Sequence, residues 1–233
     1  MATLLTRALD LLYPPRCVGC AAFGNNLCVD CATLLLPASG PGRCGRCGVR
    51  RDDEGRCPDC FGWRDLDGAR AAFEMTGPAR GVVHGLKFSG IRDLATDMAE
   101  ALHPVVDELA PDAIFPIPLH ARRRRSRGFN QAEVLFDRLG WPPAPGRLDR
   151  IRPTASQVGL SAAERRENVA GAFRYRGPRL KGATVAVLDD VVTTGATASE
   201  CARVLREHGA SRVYALAYAR APYSSPASGR SDD

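Results

Sequence analysis

The chain has 233 residues, of which 45% are hydrophobic and 25% are charged, which is ordinary for a folded globular protein and excludes wholesale disorder. No apolar run approaches the roughly 20 residues that a membrane-spanning helix needs. Because Arg7 and Asp10 interrupt the apolar stretch at the start, it does not resemble a secretory signal, and we expect a cytoplasmic protein. Lysine and arginine number 32 against 26 acidic residues, and this net charge of +6 permits phosphate or nucleic-acid binding without requiring it.

The beginning of the chain divides into a short apolar stretch and a cysteine-rich segment. Residues 1–13 place leucine and alanine on one helical face, which predicts an amphipathic helix ended by Pro14 and Pro15. Residues 16–62 are rich in glycine and cysteine and hold too few large apolar side chains for an ordinary core. A segment of this kind needs a covalent cross-link or a metal ion to fold.

Eight of the nine cysteines occur in four C-x-x-C pairs. The two-residue gap lets both sulfurs of a pair face one ion, and two pairs complete a tetrahedral zinc site. Reduced or redox-active cysteines are the alternative, but the same spacing four times over favours zinc. The predicted zinc ligands are Cys17, Cys20, Cys28, Cys31, Cys44, Cys47, Cys57 and Cys60.

The cysteine pairs can combine in two ways. Sequential pairing, in which the first four cysteines form one site and the last four another, is favoured because short loops close at a lower entropic cost. Interleaved pairing stays open at this stage. Four thiolates leave no ligand position for water, so both zinc ions are expected to be structural. The arginines of this segment suit either nucleic-acid contact or a solvated basic face: Arg43, Arg46, Arg50, Arg51 and Arg56.

From residue 70 onward, helix and strand patterns alternate along the chain. Residues 75–90 carry an apolar run, and Pro104 predicts a kink or an early end in the helix that follows. The predicted elements are a helix at 93–109, a strand at 113–117, a helix at 130–139, a strand at 184–188, a helix at 198–208 and a strand at 213–219. The alternation predicts an α/β domain with a mainly parallel sheet flanked by helices.

The predicted division of the chain has three parts. Residues 1–64 hold the short helix and the zinc ribbons, residues 65–220 form the α/β domain, and residues 221–233 form a disordered tail. Small polar residues dominate the tail, which has too little apolar surface to pack.

The segment VAVLDDVVTTGATASE, residues 185–200, carries the strongest functional signal. A buried strand ends in Asp189 and Asp190, a loop of threonines and a glycine follows, and a helix then begins. Ligands of open α/β sheets bind at the carboxyl ends of strands, and a helix N-terminus offers N–H groups to a phosphate. The two carboxylates suit sugar hydroxyls, so the segment predicts a site for a ribose 5-phosphate.

A basic segment in the middle of the chain supplies further candidate anion contacts. Residues 116–133 contain the run Arg122–Arg125, and Arg127 precedes a predicted helix start. We expect Arg127 to contact a pyrophosphate group. Lys87, a single lysine within the apolar run, is a candidate phosphate contact.

A second basic segment follows at residues 150–173. It is polar and weakly periodic, which predicts a mobile loop and a helix that could close over a phosphate ligand, with Arg165 and Arg166 as candidate contacts. Cys201 is expected in the core rather than as a nucleophile, and the four histidines show no metal-binding spacing.

Two resemblances refine these expectations. The acid pair and the T-x-G-x-T loop resemble the signature of type I phosphoribosyltransferases, whose ligand is phosphoribosyl pyrophosphate (PRPP). The order of motifs resembles the ComF family: a double zinc ribbon, then LKFSG, PIPLH, RGFNQ, the T-x-x-Q-x-x-L-S-x-x-x-R-x-x-N segment at 154–168, and LDDVVTTGAT. This likeness covers residues 17 to about 220.

The resemblance implies a phosphoribosyltransferase-like fold that binds PRPP with Mg²⁺ beside two structural zinc ions. It assigns the ribose hydroxyls to the acid pair and the 5′-phosphate to the loop. With Lys87 added, the expected PRPP-binding residues are Asp189, Asp190, Thr193, Thr194, Gly195, Ala196, Thr197 and Lys87. The expected catalytic residues are Arg127, Asp189 and Asp190.

Two classes of function stay open at this stage. The first is an enzyme that transfers the phosphoribosyl group, and the second is a non-catalytic module that senses PRPP or a nucleotide and binds single-stranded DNA. The family likeness associates either class with natural transformation, and a competence helicase or DNA-processing protein is an expected partner. Single-strand binding needs exposed aromatic platforms, for which Phe61, Trp63 and Phe129 are candidates.

Overall fold

The computed structural model describes residues 14–155 and 159–222, so the predicted helix at 1–13 and the tail beyond residue 222 lie outside the described residues. The strands are β1 (Gly68–Glu74), β2 (Ala113–Pro116), β3 (Arg147–Arg150), β4 (Phe173–Arg176), β5 (Thr184–Val192) and β6 (Arg212–Arg220). The helices are α1 (Val29–Thr33), α2 (Gly77–Phe88), α3 (Leu94–Leu109), α4 (Ala121–Arg127), α5 (Gln131–Leu139), α6 (Ala162–Val169) and α7 (Ala196–Glu207).

Four strands form a wholly parallel central sheet in the order β1-β6-β5-β2. Strands β5 and β6 occupy its centre, and their β-branched and alanine side chains are buried on both faces, as parallel sheets require. Because the strands are parallel, their carboxyl ends meet at one edge of the sheet. The predicted parallel α/β sheet is confirmed.

Side chains of β5 alternate between two buried clusters, one on each face of the sheet. Val185 and Val187 share a cluster with Leu205 of α7. Ala186 and Leu188 share the other cluster with residues of α2, α3 and α5, such as Leu86. Helices therefore cover both faces, and the core consists of two layers separated by the sheet.

One predicted helix reaches its predicted end despite an internal proline, and one predicted strand is longer than expected. Helix α3 continues past Pro104 to Leu109, because Leu102 and Val106 bury on the same face on either side of an exposed proline. Burial of that face outweighs the loss of one backbone hydrogen bond. Strand β5 extends four residues beyond the predicted end at residue 188, so the two acids lie inside the strand rather than after it.

The arginine-rich region contains an antiparallel hairpin that the sequence analysis did not predict. Strands β3 and β4 pair Leu148 with Tyr175, and both side chains are buried against the core. These two strands hold only three buried side chains among many arginines. Three are too few for the alternation of apolar and polar residues to be recognised in the sequence. The helix expected in this region is α6, which begins with a capping box between Ser161 and Glu164.

The two cysteine segments pack on opposite faces of the sheet. In the first, Val18 lies against α2 where Gly81 and Gly85 leave room for it. In the second, Cys44 and Cys47 belong to the cluster that contains α7. Among the described residues, no helix combines the length and apolar character needed to cross a membrane.

Candidate functional site

The eight paired cysteines form two groups of four, and within each group all four sulfurs lie within 4.8 Å of one another. A tetrahedral site with zinc–sulfur bonds near 2.3 Å has sulfur–sulfur edges of about 3.8 Å. The observed Sγ–Sγ distances match this edge: 3.6 Å for Cys20 and Cys28, and 3.7 Å for Cys44 and Cys60. The donor set and spacing fit a structural zinc ion in each group.

The sulfur groups are Cys17, Cys20, Cys28 and Cys31 for the first site, and Cys44, Cys47, Cys57 and Cys60 for the second. The favoured sequential pairing is therefore confirmed, and the interleaved alternative is excluded. Backbone N–H groups of Gly19 and Cys28 both donate to Cys17 Sγ at 3.4 Å. Such donors stabilise a metal-bound thiolate.

A cavity of about 550 Å³ opens at the carboxyl edge of the sheet. It collects residues from four separate parts of the chain: the end of α2, the start of α5, the hairpin region and the loop between β5 and α7. Of the predicted site residues, those lining the cavity are Lys87, Arg127, Asp189, Asp190, Thr193, Gly195, Ala196 and Thr197.

The acid pair lies on the floor of this cavity. Asp190 is 1% exposed, and its carboxylate forms an ion pair with Lys87 Nζ at 2.6 Å. Gln131 Nε2 donates to the other Asp190 oxygen at 3.4 Å. Asp189 is less buried, and one of its oxygens accepts from the Asp190 N–H at 2.9 Å. Lys87 therefore reaches the acid pair directly, in addition to lining the cavity.

Burial and neighbouring charges give the two acids different pKa values. Burial and the adjacent Asp190 raise the pKa of Asp189 to about 8. Burial by itself would raise the pKa of Asp190, but the Lys87 ammonium outweighs it and holds the pKa of Asp190 below its ordinary value. The pair therefore carries one negative charge near neutral pH and gains the second as the pH rises through about 8.

The threonine loop turns directly into helix α7. Gly195 caps the helix with φ of 73°, a left-handed conformation that favours glycine. Ala196 and Thr197, the first two residues of the helix, line the cavity, so the partially positive N-terminus of α7 lies at its wall. Thr194 differs from its neighbours, because it does not line the cavity and its carbonyl accepts from Trp63 Nε1 at 2.8 Å.

Several arginines surround the cavity. Arg127 Nη1 donates to Gln131 Oε1 at 2.6 Å, which links it through Gln131 to the acid pair. Arg123, Arg150 and Arg165 also line the cavity. The Nε atoms of Arg150 and Arg165 are buried without a hydrogen-bond partner among the described residues. Burial and the nearby Arg123 lower the pKa of Arg150, although the neighbouring Asp189 acts in the opposite direction.

Two of the candidate aromatic platforms, Trp63 and Phe129, are not exposed. Trp63 is 5% exposed and Phe129 8% exposed, because both belong to the core. Phe88 is instead 70% exposed at the cavity rim, with the Arg127 guanidinium 5.5 Å from its ring centroid. Arg166 also differs from Arg165, because it lies against Gly62 rather than in the cavity.

Gln131 and Phe88 have no role in the predictions made from the sequence. Phe88 directly follows Lys87 in LKFSG, and Gln131 lies four residues after Arg127 in RGFNQ. Their place in motifs that already held a candidate residue was the available signal. Arg43 and Arg46, read as candidate nucleic-acid contacts, have internal partners: Arg43 pairs with buried Glu74 at 2.7 Å, and Arg46 donates to the Leu66 carbonyl at 2.7 Å.

Comparison with known proteins gives consistent results along the chain. A family model described as a double zinc ribbon domain matches residues 8–61. DNA utilization protein YhgH of Salmonella typhimurium is 34% identical over 202 residues, covering 81% of this chain and 81% of that protein. Competence protein ComFC of Bacillus subtilis is 27% identical over 213 residues, covering 87% of this chain and 83% of that protein.

Among solved structures, orotate phosphoribosyltransferase from Aeropyrum pernix overlaps this chain with a TM-score of 0.32 and 23% identity. The overlap covers 64% of this chain and 68% of that one. An overlap of this extent does not identify a ligand or a reaction.

The fold and the two kinds of site define a class of protein in which a double zinc ribbon is joined to a parallel α/β sheet with an acidic, threonine-rich loop at its carboxyl edge. The identity to YhgH over four-fifths of both chains is specific enough to name the family. The chain belongs to the ComF family of competence and DNA utilization proteins.

Proposed function

We propose that the cavity at the carboxyl edge of the sheet binds PRPP together with Mg²⁺. The observation that carries this proposal is that the acid pair, the threonine loop and Lys87 line one cavity. Acceptors for a sugar diol thus lie at the end of β5, and donors for a phosphate lie at the start of α7, the next element of the chain. The Nε atoms of Arg150 and Arg165, buried without a hydrogen-bond partner among the described residues, support an anionic ligand.

Each part of the ligand has a matching group in the cavity. The N–H groups at the start of α7 and the Thr193 and Thr197 side chains would hold the 5′-phosphate. Asp189 and Asp190 would accept hydrogen bonds from the two ribose hydroxyls. Arg127 would contact the pyrophosphate.

Bound Mg²⁺ would neutralise pyrophosphate charge and so make it a better leaving group. The chain's own contribution to transfer would be positioning and charge stabilisation. The bond between ribose C1 and the pyrophosphate oxygen would break, a bond from C1 to the acceptor nucleophile would form, and Arg127 would stabilise the departing pyrophosphate.

Titration calorimetry with Mg-PRPP tests the binding proposal, with the Asp189→Asn/Asp190→Asn double variant as the comparison. We expect binding to the wild type and none to the double variant, because neutral amides, each with one acceptor oxygen and one donor group, replace both carboxylates that would accept from the diol. Wild-type protein that fails to bind PRPP, or a double variant that binds it equally well, would overturn the assignment.

A pyrophosphate-release assay on the same sample, run with purine and pyrimidine bases, separates the enzyme from the sensor. Release that depends on one base would establish a transferase and identify its acceptor. Binding without release would favour the non-catalytic reading.

A second candidate function, binding of single-stranded DNA, is favoured by helix α4 and Phe88. The run Arg122–Arg125 on α4 is exposed, and none of the helix's residues is buried. Arg123 of this helix and the exposed Phe88 ring both border the cavity, which joins positive charge to a surface on which a base can stack. The names of the relatives, DNA utilization and competence proteins, point the same way.

The salt dependence of oligonucleotide affinity tests this second function. Each phosphate contact on a single strand contributes a slope of roughly −0.7 in log affinity against log salt concentration. Replacing Arg122, Arg124 and Arg125 with alanine should flatten the slope by about 2 if all three contact phosphates. An unchanged slope would assign these arginines to ordinary surface charge.

We also propose that the protein is cytoplasmic, because two sites built from reduced thiolates suit a reducing compartment.

A further inference from the structure

We propose that the second zinc ribbon, residues 44–60, holds the threonine loop in its ligand-binding shape, with Trp63 and Arg220 as positioning residues. This inference rests on the proposed function for its ligand but not for its geometry. Neither residue lines the cavity. Both connect the ribbon to the backbone of the loop.

Trp63 makes the first connection. It follows the last zinc ligand by three residues, and its buried indole donates from Nε1 to the Thr194 carbonyl at 2.8 Å. Its ring also lies so close to Gly195 that a Cβ added there would meet the ring at 2.6 Å. The indole therefore fixes both the direction of one loop carbonyl and the position of the glycine at which α7 begins.

Arg220 makes the second connection, from the last residue of β6. Its guanidinium donates to the Cys47 carbonyl at 2.9 Å and to the Asp59 carboxylate, both within the zinc-binding turns. The same group donates to the carbonyls of Val192, at 3.0 Å, and Thr193. At 2% exposure, Arg220 is the kind of buried cation that stays in place only when its acceptors do.

The consequence is a continuous series of contacts from metal to loop. Zinc fixes the turns that carry Cys47 and Asp59, these turns fix Arg220 and Trp63, and those two side chains fix residues 192–195. Backbone donors bind a phosphate well only when they are oriented before the ligand arrives. Loss of the second zinc should therefore weaken anion binding without any change in a residue that touches the anion.

The first ribbon provides a matched control. Its contacts run to α2, where Val18 lies against Gly81 and Gly85, and no described hydrogen bond of its cysteines reaches the threonine loop. A cysteine variant in each ribbon removes the same kind of ligand at a different distance from the loop. Cys57→Ser tests the second ribbon, and Cys20→Ser controls for zinc loss as such.

The decisive measurement is hydrogen exchange of the amides at residues 193–197 in full-length, ligand-free protein. Trp63→Phe keeps an aromatic ring but removes the indole donor, so loop exchange should rise about fivefold, the equivalent of one lost hydrogen bond. Cys57→Ser should raise it further, and Cys20→Ser should leave it unchanged. Amides of β5 at residues 185–188 should keep wild-type exchange in Trp63→Phe.

Mg-PRPP affinity is the second measurement and should fall by a similar factor in Trp63→Phe. Unchanged loop exchange in Trp63→Phe and Cys57→Ser would overturn the inference, as would a rise shared equally by β5, which means a general loss of stability. If the wild type does not bind PRPP, the proposed function fails while the exchange data still decide the positioning role.

Discussion

Lys87 and Asp190 form an ion pair that joins two distant elements inside the protein. The Asp190 side chain is 1% exposed and that of Lys87 21%, and their 2.6 Å contact connects the end of α2 to the end of β5. A buried carboxylate of this kind is stable mainly because its partner is present. The same pair therefore serves both the fold and the candidate site.

Replacement of Lys87 by methionine should cost more stability than removal of a surface ion pair. Lys87→Met leaves the Asp190 charge buried, so the free energy of unfolding should fall by about 3 kcal/mol. Urea denaturation at pH 7 measures it, and Lys87→Met/Asp190→Asn should recover most of the loss. In the control, Arg124→Met, which breaks an exposed 2.9 Å pair with Glu133, should cost less than about 1 kcal/mol. Equal losses in the two single variants would contradict this account.

The raised pKa of Asp189 predicts how stability depends on pH. Between about pH 4 and pH 8, Asp189 keeps its proton in the folded protein while the unfolded chain has lost it. The folded state then binds more protons, so this residue's contribution to stability falls as the pH rises through that window. Asp189→Asn removes the contribution, and its stability relative to wild type should rise from pH 5 to pH 8 and then level off.

Urea denaturation at several pH values measures this difference. The exposed Asp137→Asn is measured alongside as the control for loss of a carboxylate. A flat difference from wild type for Asp189→Asn would show that Asp189 ionises normally in the folded protein.

The residues predictable from the sequence are those whose chemistry is unusual for their segment. Two acids at the end of an apolar strand and one lysine in an apolar run are such residues. Gln131, Trp63 and Arg220 could not be found this way, because their contacts join segments far apart in the chain. Thr194 shows the same limit within the motif itself, since only the fold reveals that its carbonyl contacts Trp63 and that the residue does not line the cavity.

At the scale of elements, helix α2 supports the first zinc ribbon through a small-residue face. A Cβ at Gly81 would lie 2.4 Å from the Val18 carbonyl oxygen, and one at Gly85 would lie 3.0 Å from a Val18 methyl group. The i, i+4 spacing places both glycines on one side of the helix. Close approach of the ribbon backbone explains why glycine is present there despite its low helix propensity.

Gly81→Ala tests the balance between helix propensity and the close approach of the ribbon. Alanine favours the helix by about 1 kcal/mol, but the displaced Val18 carbonyl should cost about 1–3 kcal/mol, so we expect a net loss of stability. Hydrogen exchange at residues 17–31 should rise at the same time, because the ribbon must move away from α2. Arg80→Ala, exposed on the same helix, is the control. A Gly81→Ala protein more stable than wild type would show that the ribbon does not approach so closely.

The elements that the sequence predicted well are those with long patterns and clear ends. Helix α5 begins after Asn130, whose side chain caps it, and ends at Gly140 with φ of 65°, as its sequence indicates. Strands β1, β3 and β4 were missed because they are short or rich in arginine and alanine, and they depend on pairing with distant strands. Pairing of this kind leaves no local signal.

At the scale of the whole molecule, two zinc ribbons pack on opposite faces of one sheet. The sequence predicted both ribbons and their pairing, since cysteine spacing is a local property. It could not place them, since placement depends on contacts such as Val18 with α2 and Trp63 with the loop. The second ribbon thereby becomes part of the wall behind the candidate site, whereas the first lies against α2.

This arrangement predicts how the molecule responds to zinc removal. The ribbons hold few large apolar side chains, so the metal supplies most of their folding free energy, whereas the sheet has its own two-layer core. A strong chelator should therefore expose residues 16–62 to protease while residues 68–220 remain largely resistant. Mass spectrometry of the fragments locates the cuts, and chelator saturated with zinc beforehand controls for direct effects on the protease. Early cuts throughout the sheet would mean that the ribbons and the sheet unfold as one unit, and that the division near residue 64 is wrong.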